Sequence, residues 1–130
     1  KDFFPRLKNY HRLEETVHFI VQDRFHFLAQ NAELIKILVQ ECLVNTELRE
    51  ALLVNIQMSI LTDFTDYWQL LKSKNPQINS NLSGMDVIRT NAGLLFAYFA
   101  QRFILNIPTL SQADDLILIE KQILSLLTLK

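Results

Sequence analysis

Glycine and proline are nearly missing from this chain, with two of the first and three of the second in 130 residues. So few breakers leave little to punctuate strands and hairpins, while Leu, Ile, Gln, Glu and Lys are plentiful; an all-β sandwich is excluded and an all-α fold is expected. Cysteine is scarcer still. Cys42 stands alone and cannot form an internal disulfide, which fits a reducing compartment, so a cytoplasmic location is expected. Charge of one sign is also lacking: 13 Lys and Arg against 14 Asp and Glu give a net charge of −1, no electrostatic footprint for a phosphate backbone. Long hydrophobic runs do not occur. The most apolar one, Ala92 to Ala100, stops at Gln101 and Arg102, far short of the roughly 20 residues that a membrane-spanning helix needs. Phe3 and Phe4 run straight into Pro5 and Arg6, so no signal peptide is read at the start. Lys at position 1 is expected of a processed start or of a piece of a longer polypeptide.

What is present is hydrophobic residue at helical spacing, 49% of the chain, enough for one domain with its own core. Tyr10 to Gln30 reads as a central helix, with Leu13, Val17, Ile20, Arg24, Phe27 and Leu28 on one face. Phe19, Val21 and Phe25 make it apolar around much of its circumference. Asn31 can cap a second helix, Ala32 to Val44, carrying Leu34, Ile35, Leu38 and Cys42. Asn45 and Thr46 compete to cap a third, which runs to Lys74 and is ended by Asn75 and Pro76. Its apolar stripe is Leu53, Ile56, Ile60, Phe64, Tyr67 and Leu71. A polar loop, 77–83, leads to a capping box of Ser83 and Asp86 and a fourth helix that reaches Ile107, before Pro108. Ser111 and Asp114 open a fifth that continues to the end of the chain. The expected architecture is an antiparallel bundle of about five helices.

The last two helices carry more apolar surface than one core needs. On the fourth, Ile88, Leu95, Phe99 and Phe103 form one face, and Gly93, Ala97, Ala100 and Ile104 form another. On the fifth, Leu116, Ile119, Ile123, Leu126 and Leu127 form a stripe extended by Ile117 and Leu124, with Leu118 and Leu129 nearly opposite. Small residues let another helix approach closely, and contiguous apolar patches mark partner surfaces. A homodimer is therefore expected, its last two helices pairing with their copies as an intermolecular four-helix bundle.

Those helices, in that order, resemble the C-terminal regulatory domain of TetR-family (tetracycline-repressor-like) transcriptional regulators. The residues that carry the resemblance are Phe25 to Leu34, which look like the end of the family's central helix and its short turn, with Ala32 where Pro is usual. It extends through Ile37 to Glu41 and Glu47 to Glu50, and Ile88 to Arg102 looks like the family's first dimerisation helix. The resemblance implies a domain that binds a small-molecule effector, dimerises, and touches DNA only through an N-terminal helix-turn-helix preceding Lys1. It further implies that the effector favours one packing of the helices and so moves the two DNA-reading domains. The alternative is a stand-alone helical homodimeric module that binds proteins or small molecules.

No cofactor is expected, and no catalytic or metal site. Glu15 and His18 have the Glu-x-x-His spacing of di-iron bundles, but a real site needs a second copy, and His11 and His26 lie too far along the helix to share an ion with His18. Cys42 has no CxxC partner, and no nucleophile elbow or phosphate loop occurs, so no enzyme is expected. Arg24, in the apolar stripe, must find an anion or reach water. Pairing with Glu41, Asp63 or Asp66, or snorkelling to the surface, is the expected solution, and a counter-charge for an acidic ligand the sharper one. Asn55, Met58, Thr62, Thr65 and Gln69 form an uncharged stripe on the third helix, which reads as partly covered or lining a cavity. With His18, Phe19, Gln22, Phe64, Tyr67 and Trp68 it supplies the apolar walls and few polar groups of a small-molecule pocket. Each aromatic taken singly reads as core.

Overall fold

A computed structural model of the chain describes residues 3–56, 62–107 and 111–129. All regular structure among them is helical: α1 (Phe3–Leu7), α2 (Leu13–Gln30), α3 (Ala32–Val44), α4 (Thr46–Ile56), α5 (Thr62–Lys74), α6 (Gly84–Phe99) with a π-helical turn at its end (Ala100–Ile104), and α7 (Gln112–Thr128). The expected third helix is thus seen as α4 and α5. Residues 57–61 between them, which include Met58 and Ile60 of its two stripes, lie outside the described residues. The short α1 was not foreseen; Pro5 sits in its first turns, where a missing N–H costs nothing.

Central α2 packs against α7, α6, α1 and α3. Its buried side is Leu13, Thr16, Val17, Phe19, Ile20, Val21 and Phe25. The expected stripe was therefore right as far as Ile20 and then drifts off. The buried row continues in steps of four to Val21 and Phe25, which turns Arg24 and Phe27 outward and leaves Phe27 49% exposed. Phe64, Trp68 and Leu71 of α5, Val87, Leu95 and Phe99 of α6, and Ile119 and Ile123 of α7 complete the core.

Local capping explains most boundaries. Ser83 and Asp86 form the expected reciprocal box, Ser83 Oγ accepting from Asp86 N at 3.1 Å and Asp86 Oδ2 from Ser83 N at 2.9 Å. Ser111 Oγ accepts from Asp114 N. Of the two competing caps of α4, Asn45 takes the role, its Oδ1 accepting from Leu48 N at 3.0 Å. Asn31 does not cap α3: its amide turns back and donates to Phe27 O, serving the end of α2 instead. The fourth helix stops short of Ile107. Leu105 N reaches back five residues to Ala100 O, and Asn106 follows with φ 54°, in the left-handed region that ends a regular helix.

The first turn of α2 is capped from a distance. Arg12 supplies no side-chain cap, and the orphan Leu13 N–H donates to Asn75 Oδ1 at 3.0 Å. Asn75, buried at the end of α5, donates in turn to His11 O and Leu71 O.

Candidate functional site

Along the flank of α2, acidic residues and histidines alternate at steps of three and four: Glu14 and Glu15, His18, then Asp23 beside Gln22, and His26. The short α1 and the turn after it lie beside this flank and contribute Arg6 and Tyr10. Together these side chains line an open groove of about 630 Å³ with Phe19 at its floor. Phe19 is stacked on Tyr10, with centroids 4.9 Å apart, and on Phe3 at 5.6 Å. The Arg6 guanidinium carbon lies 4.9 Å from the Phe19 ring centre, close enough for a cation–π contact. Asp23 anchors two guanidiniums at once: Arg6 Nη1 reaches its Oδ1 at 3.1 Å, and Arg24 reaches its Oδ2 through Nη2 at 2.6 Å and Nε at 3.0 Å. Arg24 also lies over the rings of Phe3 and Phe27.

The sequence-derived ligand set divides. His18, Phe19 and Gln22 line the groove. Exposed His18 is tied to α7 by a 2.7 Å hydrogen bond between Nδ1 and Glu120 Oε1. Arg24 finds its anion in adjacent Asp23, not in Glu41, Asp63 or Asp66, because α2 turns that side chain toward α1. Phe64, Tyr67 and Trp68 are buried, and none of them lines the groove beside α2. Trp68 Nε1 donates to Leu82 O at 3.0 Å, and its ring stacks with Phe64. Thr62 and Thr65 are exposed on α5, as are Asn55 on α4 and Gln69 on α5. Arg6, Tyr10, Glu14, Glu15, Asp23 and His26 complete the groove and were not singled out together from the sequence, although the alternation of acidic residues and histidines along α2 was readable there. A second groove, about 530 Å³, is bounded by Leu82, Asp86, Arg89 and Thr90.

Among the described residues, Tyr67 and Asp86 have displaced acidities. Burial pushes the Tyr67 phenol above its ordinary value, and the hydrogen bond with Thr16 partly offsets this. The Asp86 carboxyl is held below its ordinary value, mainly by the backbone N–H of Ser83 and then by its side chain. Among the described residues no three His, Cys, Asp or Glu side chains stand close enough to hold a metal ion.

Comparisons of the chain with protein-family models, with curated proteins and with solved structures find no match.

The faces expected to dimerise are largely uncovered. Gly93, Ala97 and Ile104 are exposed and Ala100 is half-buried, and a Cβ placed on Gly93 would meet nothing within 4 Å. Ile117 and Leu118 of α7 are exposed, whereas Leu124 is half-buried and packs on the core. No helix among the described residues is long and apolar enough to cross a membrane.

Proposed function

We propose that this chain is the effector-binding and homodimerisation region of a TetR-like DNA-binding transcriptional regulator, reaching DNA only through a separate helix-turn-helix domain. The observation that carries the reading is the exposure of α6 and α7: Gly93 and Ala97 are exposed with open space at Gly93, and Ile104, Ile117 and Leu118 are exposed apolar residues. Two such surfaces related by a two-fold axis close into a four-helix bundle. The groove on α2 supplies the effector site: it spans α1, α2 and, through His18 and Glu120, the edge of α7, so a bound molecule biases how these helices sit together.

Sedimentation at tens of micromolar is expected to show a dimer. Ala97→Glu should give monomer or aggregate, since it places an unpaired charge in a close-packed interface. A monomeric wild-type chain at that concentration would refute the assignment of these faces. Sequencing the parent reading frame upstream of Lys1 tests the regulator half of the reading, which requires a helix-turn-helix there.

One observation favours a stand-alone module that binds proteins. Neither α3 nor the described side chains of α4 include a buried residue, and Ile37, Leu43, Val44, Leu53 and Val54 are all more than half exposed. A reading frame without a helix-turn-helix would leave that arm as the more informative surface.

A further inference from the structure

The groove beside α2 carries three carboxylates, Glu14, Glu15 and Asp23, against one guanidinium, that of Arg6. Asp23 is already shared by two arginines. Glu15 meets Arg12 only at 3.7 Å, with both side chains more than half exposed, and Glu14 makes no ion pair among the described residues. The uncommitted negative charge thus sits at the N-terminal end of the groove, one helical turn, about 5–6 Å, from Phe19 and His18. The chain itself shows how a cation lies in this groove: the Arg6 guanidinium rests over Phe19 and pairs with a carboxylate at its edge.

We propose that the groove is a binding site for an organic cation with an apolar body, an aryl- or arylalkylamine, and that Arg6 competes with it for the Phe19 face. The ammonium group pairs with Glu14 and Glu15, and the apolar body lies along Tyr10 and Phe19. Charge-assisted pairing at the rim sets the sign of the ligand, and the rings hold its body by dispersion and cation–π attraction. Because Arg6 is 58% exposed in its side chain, it can swing into water when a ligand takes its place. This inference rests on the effector-binding reading and adds the ligand's chemical class.

Three probes of the same length and shape test it: 4-phenylbutylamine, 4-phenylbutan-1-ol and 4-phenylbutyrate, titrated into the 130-residue chain by calorimetry and by NMR of the α2 amides. The amine should bind saturably and about tenfold tighter than the alcohol, and tighter still than the carboxylate. Glu14→Gln with Glu15→Gln should remove that preference without disturbing the fold, since both side chains are exposed. Arg6→Gln should tighten amine binding severalfold; circular dichroism of each variant checks its folding. Equal affinity for the three probes, a preference for the carboxylate, no saturable amine binding at about 10 mM, or indifference to the paired glutamate substitutions overturns the proposal. Binding of the alcohol or the carboxylate in this groove at least as tight as that of the amine would leave effector binding standing and remove only the cation. The oligomeric state and the upstream reading frame are read independently of all three probes.

Discussion

At the scale of single residues, the hydrogen bonds of Tyr67 have one solution. Its hydroxyl lies 2.9 Å from Tyr10 O, which can only accept, so the phenol proton points there and Thr16 Oγ1, 3.0 Å away, must donate to the phenol oxygen. Tyr67→Phe therefore removes both an acceptor and a donor within a buried cluster and should destabilise the fold by about 1–3 kcal/mol in urea unfolding. Thr16 has a fallback on the carbonyl four residues before it, which favours the lower end of that range. Since burial raises the Tyr67 pKa, the folded state holds this proton more tightly than the unfolded chain. Its contribution is complete below the unfolded pKa of 10.0 and is lost as pH rises from there through the folded-state value. Tyr67→Phe should flatten that alkaline loss. Asn75 is the second such residue. Asn75→Ala should cost roughly 1–3 kcal/mol, because it leaves the buried Leu13 N–H without its acceptor and takes a donor from His11 O and Leu71 O, and the amides at the start of α2 should report it first. Neither role was readable from sequence: Asn75 looked like a helix stop, and its acceptor serves a donor 62 residues away.

Elements were legible where their causes are local. The capping box of Ser83 and Asp86 is written within four residues, and the structure realises both of its bonds. Ser83→Ala should destabilise α6 by about 1 kcal/mol, measured as a lowered unfolding midpoint at neutral pH. The Asp86 contribution has a defined acid limit. Its folded-state pKa is depressed, so its stabilisation is present above the ordinary carboxylate value and is lost as pH falls through the folded one. Ser83→Ala should remove part of that acid dependence. Periodicity served less well at the ends of elements. It placed Phe27 in the core because a step pattern cannot say where a helix leaves its neighbours, and Arg24 took the nearest anion, Asp23, once α1 packed beside it. The π-helical turn had no sequence signal, since Pro108 offered a sufficient reason for a stop three residues after it.

For the molecule as a whole, helical class followed from composition and from stripes that the core uses, such as Leu116, Ile119, Ile123 and Leu127 of α7. The candidate site followed only in part. A ligand pocket between α2 and α5 was inferred from aromatics that the fold spends on its interior, whereas the groove depends on α1, whose five residues carry too little pattern to announce a helix. The arm formed by α3 and α4 has a dynamic consequence. Backbone hydrogen bonds in elements whose described side chains are at most partly buried open by local fluctuation, without waiting for the whole protein to unfold. Amide hydrogen exchange should therefore divide into two tiers, with α3 and α4 exchanging orders of magnitude faster than the middle of α2 and α7. Uniform protection across all four helices would contradict this. The fast tier is also a reporter: any molecule that settles on Leu43, Val44, Leu53 and Val54 must slow it, so deuterium uptake by this arm would register an encounter that leaves the rest of the protein unchanged.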